Sequence, residues 1–268
     1  MKFVSFNVNG LRARMHQLTA IISQLQPDVI GLQEIKVHDD FFPIKEILKY
    51  GYHVYYYGQK KYYGVALLLR QIPLTVIRGF ANDDHLSQKR IIIADIMTSI
   101  GVLTIINSYF PQGENKNHTE KFVYKKNFYK NFQNYIEHTY HNNSLLLIMG
   151  DMNISPTDFD IGIGEKNKKK WISSGRCSFL PEERTWINNL MNWGLRDVYR
   201  NMHPHKNERY SWFSYKSNGF SRNSGLRIDL ILVTCSLENL CKDSDISYSI
   251  RSMNKPSDHA PVWADFDI

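Results

Sequence analysis

The chain opens KFVSFNV, where Phe3, Ser5 and Asn7 alternate with Val4, Phe6 and Val8, the two-residue period of a strand with two distinct faces. Asn9-Gly10 then turns the chain. Met15, Leu18, Ile21, Ile22 and Leu25 recur at helical spacing, and Pro27 ends that helix. DVIGLQE is again an apolar strand. The pattern next predicts a short helix over Pro43 to Leu48. Strands are predicted over Tyr52 to Tyr57, Val65 to Leu69, Leu74 to Arg78, Ile91 to Met97 and Val102 to Tyr109. The short turns between these strands favour antiparallel pairing. From about 118 to 140, Phe122, Phe128, Phe132, Tyr135 and Ile136 form the aromatic face of a helix, and LLLIMG, Leu145 to Gly150, is the next buried strand. Residues 157–184 read as a long Gly- and Lys-bearing connection, of the kind that is functional or mobile. A helix near Glu182 to Trp193 closes at Gly194. Three final strands are predicted over Tyr210 to Tyr215, Leu226 to Val233 and Ala260 to Phe266.

Many strands with a few interspersed helices predict an α/β class layered sandwich, two sheets with helices outside them. No internal repeat or linker-like composition shift divides the chain, so 1–268 reads as one domain. At 268 residues and 43% hydrophobic composition a large core is attainable. The formal net charge of +7 suits an anionic partner as readily as it suits mere solubility. Cys177, Cys235 and Cys241 form neither a CxxC pair nor an even framework, which fits a reducing cytosol. No apolar run is long enough to span a membrane, and the N-terminus reads directly as a strand rather than as a signal peptide.

Chemistry enters where the strands end. Asn7 and Asn9 follow FVSF, Glu34 follows VIGLQ, and Asp151 with Asn153 follows LLLIMG. Asp229 lies within LRIDLILV, and Asp258-His259 precede APVWADF. Asp and Asn end strands simply by making turns, but Glu34 and Asp229 are poor turn residues. A charge inside an apolar strand is costly unless it is paired or binds a metal. Asp151 and Asn153, two apart on an extended chain, are expected to point the same way. Converging oxygens without a cysteine cluster suggest Mg²⁺, which takes one or two carboxylates, waters and a phosphate. His259 beside an acid adds a group that titrates near neutrality, in either a structural or a catalytic role.

FNVNGLRAR, GLQEIKV, NSYFPQGE, MGDMNISPTDFDIGIG, GLRIDLIL and KPSDHAPVWA, in order and with SWFSY and CSFLPEER between them, resemble the exodeoxyribonuclease III family of the endonuclease/exonuclease/phosphatase superfamily. The resemblance runs from Lys2 to Trp263. It implies a four-layered α/β sandwich of two packed mixed β-sheets flanked by helices. It also implies a Mg²⁺- or Mn²⁺-dependent DNA-repair nuclease: a 3′→5′ exonuclease on double-stranded DNA that incises 5′ to abasic sites and removes 3′ phosphates and other 3′ blocks. RNase H-type activity is a further family trait. The implied metal residues are Glu34, Asp258 and Asn7, with Asp151 and Asn153 beside them. Asp151 would orient and deprotonate the attacking water, or ligate a second ion. His259, polarised by Asp229, would contact the scissile phosphate, and Tyr109 would bond a phosphate oxygen or assist the leaving group. Trp212, Leu226 and Ile228 would form an apolar pocket for a sugar lacking its base, Trp212 being otherwise a core aromatic. Gln112 is an expected DNA contact. Arg90 and the Lys166 to Lys170 run are expected to reach phosphates, the lysines serving equally well as a solvated loop. The implied enzyme is a cytoplasmic monomer acting on double-stranded DNA with no membrane partner.

Two rivals differ in kind. Superfamily members that act on lipids or inositol phosphates, or that are secreted, should carry membrane-binding loops, disulfides or leaders. A retired, non-enzymatic DNA-binding scaffold should have lost Glu34, Asp151, Asp229 or His259, and all four are present.

Overall fold

The alternation in β1 (Lys2–Asn7) sends Phe3 to one side and Val4 and Phe6 to the other, and the computed structural model, which describes residues 1–80, 83 and 87–268, shows what each side meets. Sheet A contains β1, β2 (Val29–Gln33), β3 (His53–Tyr57), β4 (Val65–Leu69), β11 (Cys241–Ile246) and β12 (Val262–Phe266), in the order β11-β12-β1-β2-β4-β3. Sheet B contains β5 (Thr75–Arg78), β6 (Ile91–Thr98), β7 (Gly101–Tyr109), β8 (Leu146–Asp151), β9 (Leu195–Asp197) and β10 (Asp229–Thr234), in the order β5-β6-β7-β8-β10-β9. Each sheet has one parallel pair at its centre, β1/β2 and β7/β8, and antiparallel neighbours elsewhere.

The helices are α1 (Met15–Leu25), α2 (Ile44–Leu48), α3 (Lys121–Thr139), α4 (Glu165–Ser173), α5 (Pro181–Trp193), α6 (Val198–Met202), α7 (Cys235–Glu238) and α8 (Tyr248–Arg251). Helix α1 crosses over between β1 and β2, and α3 between β7 and β8, as parallel neighbours require. One core lies between the sheets, where Phe3, Val29 and Leu67 meet Ile105, Leu147 and Ile231. A second packs α1, α2 and α8 on the outer face of sheet A. A third packs α3 and α5 on the outer face of sheet B through Phe128, Phe132, Ile136 and Ile187. The expected four layers result.

Along the inner faces the residues change from apolar to polar toward one end: Phe3, Ser5, Asn7 on β1; Val29, Gly31, Gln33 on β2; Ile105, Asn107, Tyr109 on β7; Leu147, Met149, Asp151 on β8. Gly150 permits the last step, because a Cβ there would lie 1.8 Å from the Ser108 carbonyl oxygen of β7.

Three expectations are corrected. Tyr210 to Tyr215 is not a strand: Trp212 makes single bridges to Leu226 and His259, and its neighbour Phe213 packs against Tyr210 and Phe220 instead of building a ladder. The strand expected from Leu226 starts at Asp229, which is therefore a strand-start residue rather than an interior one. The 157–184 connection contains α4, which carries the lysine run, with Lys168 paired to Asp158 at 2.9 Å. The pattern also missed β9, β11 and α6, short or edge elements whose polar residues obscure periodicity. Among the described residues no helix is long and apolar enough to cross a membrane.

Candidate active site

Every central strand delivers a polar side chain to the same end of the sandwich. Asn7 ends β1, Glu34 follows β2, Tyr109 ends β7 and Asp151 ends β8. Strand β10 runs the other way, so its first residue, Asp229, stands directly opposite Asp151. Asp258 and His259 lie just before β12. Open α/β sheets present their ligand sites at the carboxyl ends of their strands, and here two sheets share one such end. Glu34, Tyr109, Asp151 and Asn153 line one face of a cavity of about 240 Å³. Gln112, Trp212, Ile228, Asp258 and His259 line the rest, with Trp171, Arg176 and Ser178. Leu226 sits behind this wall, packed with Ile228 and Phe179 against Trp171 and Trp212.

The polar contacts cross between the sheets. Asn7 Nδ2 donates to Glu34 Oε1 at 3.0 Å and to Asp151 Oδ2 at 2.9 Å, while Asn7 Oδ1 accepts from the Asn9 N–H. His259 Nδ1 lies 2.8 Å from Asp229 Oδ2, and its Nε2 is 3.8 Å from Asp151 Oδ2. Lys36 Nζ is 2.7 Å from Glu34 Oε2. Asp258 spends one oxygen on Asn9 Nδ2 at 2.7 Å and the other on Trp212 Nε1 at 3.1 Å. Ligand atoms of Glu34, Asp151 and His259 lie within 4.8 Å of one another. The two carboxylates suit a divalent cation, with His259 beside them. The donors already drawn to the carboxylates, the Lys36 ammonium and the Asn7 NH₂, mark an excess of negative charge. Asn7 and Asp258, expected as ligands, are both engaged by N–H donors beside that group.

Burial and neighbours split the two carboxylates. Burial works to raise the proton affinity of Glu34, but Lys36 and the Asn7 hydrogen bond outweigh it and hold the pKa below the usual glutamate value. For Asp151, burial and then the adjacent Asp229 push the pKa up to about 8, against the pull of His259. Burial disfavours the charged His259, but Asp229 and then Asp151 overcome it and raise the imidazole to about 10. Burial, reinforced by Glu34, keeps Tyr109 a protonated donor.

Asn153 reaches the cavity by a route other than the expected strand alternation. It lies beyond β8 at φ 53°, its N–H bonds Asp151 Oδ1 at 2.9 Å, and its Nδ2 donates to the Phe110 carbonyl at 2.9 Å. Arg90 does not extend toward solvent. It is buried, its guanidinium donates to the Tyr109 carbonyl at 2.8 Å and to Gln88, and it packs on the Tyr63 and Tyr109 rings, bracing Tyr109 from behind.

Several residues here went unnoticed in the sequence. Lys36 is one. Lys125, fully buried, donates to Glu183 at 2.6 Å, to the Asn153 carbonyl at 2.9 Å and to the Gln112 carbonyl at 3.2 Å. Glu183 in turn accepts from the Ser178 and Leu180 N–H groups. One ion pair thus ties together three loops that face the cavity. Its signal was present: Lys125 lies three residues from both Phe122 and Phe128, on the inward face of α3. Arg227 is a second such case, buried between Asp160 at 2.7 Å and Asp197 at 2.6 Å just before Asp229.

A two-sheet sandwich with carboxylates, a His–Asp pair and a phenol at the shared strand ends is the architecture of hydrolytic phosphoesterases, and the model of the Endonuclease/Exonuclease/phosphatase family matches residues 4–259: the chain belongs to this family and is a hydrolytic nuclease of the phosphodiesterase type. It is 56% identical over 266 residues to exodeoxyribonuclease III of Haemophilus influenzae, covering 99% of this chain and 100% of that one. Its fold is similar to that of NExo, a 3′ phosphatase from Neisseria solved with a product DNA hairpin, at a TM-score of 0.90 and 35% identity over the whole of both chains. An AP endonuclease from Archaeoglobus fulgidus superposes at a TM-score of 0.90 with 31% identity, again over both whole chains.

Proposed function

We propose that this chain acts over 1–268 as one catalytic domain, a Mg²⁺- or Mn²⁺-dependent DNA-repair nuclease. It incises 5′ to abasic sites in double-stranded DNA, degrades duplex ends 3′→5′ and removes 3′ phosphates and other 3′ blocks, as a cytoplasmic monomer. The observation that carries this reading is the convergence of Glu34, Asp151 and the His259–Asp229 pair on one cavity walled by Trp212 and Ile228.

Glu34 is the main carboxylate for the cation, with Asn7 and Asp258 flanking it, directly or through water. Bound there, a divalent ion neutralises phosphate charge and the charge developing on the leaving 3′ oxygen. Asp151, whose surroundings raise its proton affinity, orients a water and takes its proton as the oxygen attacks phosphorus. Asn153, its NH₂ held by Phe110, offers its Oδ1 to the same water. His259 stays charged through Asp229 and donates from Nε2 to a phosphate oxygen. Tyr109, protonated and braced by Arg90, donates to the phosphate or to the departing O3′. The O–P bond to water forms as the P–O3′ bond breaks, leaving a 3′ hydroxyl.

Trp212 and Ile228, backed by Leu226, receive a sugar without its base. Extruding such a sugar is cheap, because no base is stacked or paired. Gln112, in the turn after Tyr109, contacts the DNA backbone, and Lys170 and Arg176, along the adjoining groove, reach phosphates, which makes binding salt-dependent.

The test is a duplex with one abasic site, incubated with Mg²⁺ and separately with EDTA, beside an inositol phosphate. Cleavage of the duplex alone, abolished by EDTA and leaving 3′ hydroxyl ends, is expected. Hydrolysis of the inositol phosphate in preference to the duplex would overturn the substrate assignment.

A further inference from the structure

Asn107 sits on β7, two residues before Tyr109, and its side chain crosses to the other sheet. Its Nδ2 donates to the Leu32 carbonyl at 3.0 Å and the Ala66 carbonyl at 2.8 Å, on β2 and β4 of sheet A. Its Oδ1 accepts from Gln33 Nε2 at 2.7 Å. Gln33 also donates to Ser5 Oγ and to the Gly31 carbonyl, each at 3.1 Å. Ser5, Gln33 and Asn107 have no solvent exposure. Gly31 records the same contact independently, since a Cβ there would stand 2.8 Å from Asn107 Oδ1 and 2.8 Å from Met149 Cε.

Apolar faces attract one another without direction, so the inner core alone leaves the sheets free to shift by fractions of an ångström. The buried Asn107 amide is less tolerant, because its NH₂ and its oxygen are both desolvated and each holds its partners at hydrogen-bond distance. This amide bridge lies next to the chemistry: Gln33 immediately precedes Glu34, and Tyr109 pairs with Asp151 on β8. We propose that Asn107 is a positioning residue which, through Gln33 and the β2–β4 backbone, sets the separation of Glu34 on sheet A from Tyr109 and Asp151 on sheet B. The inference rests on the proposed roles of those three residues.

Asn107→Leu removes all three bonds at nearly constant volume. Gln33→Met cuts the side-chain link, together with the Gln33 bonds to Ser5 and Gly31 within sheet A, while leaving the two Asn107 bonds to the Leu32 and Ala66 carbonyls. Three measurements apply to each purified protein: kcat and KM on an abasic duplex, calorimetric affinity for Mn²⁺ without DNA, and a thermal melt. A misplacement of about 1 Å can lower rates roughly 10²-fold, so Asn107→Leu is expected to lose about 10- to 100-fold in kcat. Its KM should stay within about 2-fold, and Mn²⁺ affinity should fall about 10-fold, the scale of supporting-shell changes at metal sites. Gln33→Met should show the same split more weakly. Folded variants with parental kcat and Mn²⁺ affinity, or a change confined to KM, overturn the proposal. Failure of both variants to fold also overturns it, by assigning the amide to stability alone. Glu34→Gln, run alongside, separates the two readings. If it stays fully active, the site assignment itself fails. If it is inactive while Asn107→Leu and Gln33→Met behave as the parent, only the bridge fails.

Discussion

The two sheets feed one cavity in different ways. On sheet A, Glu34 lies one residue beyond its strand at φ 51°, and Asn9 and Lys36 share left-handed backbone at 45° and 52°. Such conformations are unfavourable for non-glycine residues, by roughly 1–3 kcal/mol each when held in place by the surrounding structure. In return, this loop can curl a lysine back onto its own carboxylate. On sheet B, Asp151 and Asp229 are opposed within a ladder, both buried. A ladder residue faces whatever the partner strand presents, so two like charges meet. His259, arriving from sheet A, brings the cation that relieves them, while Asn7 and the Asn153 N–H donate to Asp151. Glu34 is thereby held ionised while Asp151 is pushed toward accepting a proton. Pairs of carboxylates with environments this different take separate acid–base and electrostatic roles. Here the difference comes from strand-end loop against strand-end ladder.

The largest expected effect tests that division directly. Asp151→Asn should lower the incision rate by about 10²–10⁴-fold, the range for loss of a general base, with folding and much DNA binding retained, and added Mn²⁺ should not restore it. Glu34→Gln should also be slow, but millimolar Mn²⁺ should recover part of its rate. Equal rescue of both, measured by gel assay across a Mn²⁺ titration, would erase the distinction between the sheets.

Stability should diverge next. Arg227 on the sheet B side is buried against Asp160 and Asp197, so Arg227→Met leaves Asp197 without its cation and Asp160 with Arg200 alone, and should remove about 3–5 kcal/mol from urea unfolding. Lys36 on the sheet A side is partly exposed, so Lys36→Met should change stability by less than about 1 kcal/mol. A Lys36→Met loss matching that of Arg227→Met would show that the sheet A loop is no looser than the ladder.

The smallest effect is in pH. His259 has its pKa raised to about 10 in the folded state, so it binds protons more tightly folded than unfolded. Its contribution is full below its unfolded pKa, near 6.5, and is lost as pH rises through about 10. Asp160 runs the other way. Burial favours its neutral form, but Arg227 and Arg200 prevail and hold its pKa at about 2, so its contribution is full above about 4 and lost as pH falls through 2. Melting temperatures measured in EDTA should therefore sag at both extremes. His259→Asn should change the alkaline side while leaving the acid limb set by Asp160 in place, and an unchanged alkaline limb would remove the sheet-bridging role of that histidine.

Much of this was legible along the chain. The alternation separated Phe3, Ser5 and Asn7 from Val4 and Phe6 onto two faces, and the first three share the inner one. Glu34 and Asp229 stood out because neither suits a turn, Glu34 following an apolar run and Asp229 reading as a charge inside one. Other features were hidden. Trp212 lies in a run rich in aromatics, which reads as a strand, whereas Phe213 packs against Tyr210, Phe220 and Tyr248 and Trp212 makes only single bridges. Arg90 was expected to reach phosphates and Lys125 went unnoticed, because a charged side chain in a sequence does not show its partner. Their buried acceptors, the Tyr109 carbonyl and Glu183, lie on other elements.

Periodicity and strand-end residue types, which depend on neighbours within a few positions, were enough to determine which side chains share a face and which strands end in oxygen-bearing groups. Distances across the sandwich were decided only by packing. The contacts that define the site join Asn7 to Asp151 across 144 positions and Asp229 to His259 across 30. Burial decided the charge states as well, because the proton affinity of Asp151 depends on an aspartate opposite it and on water kept out by both sheets, and neither is a property of the local sequence.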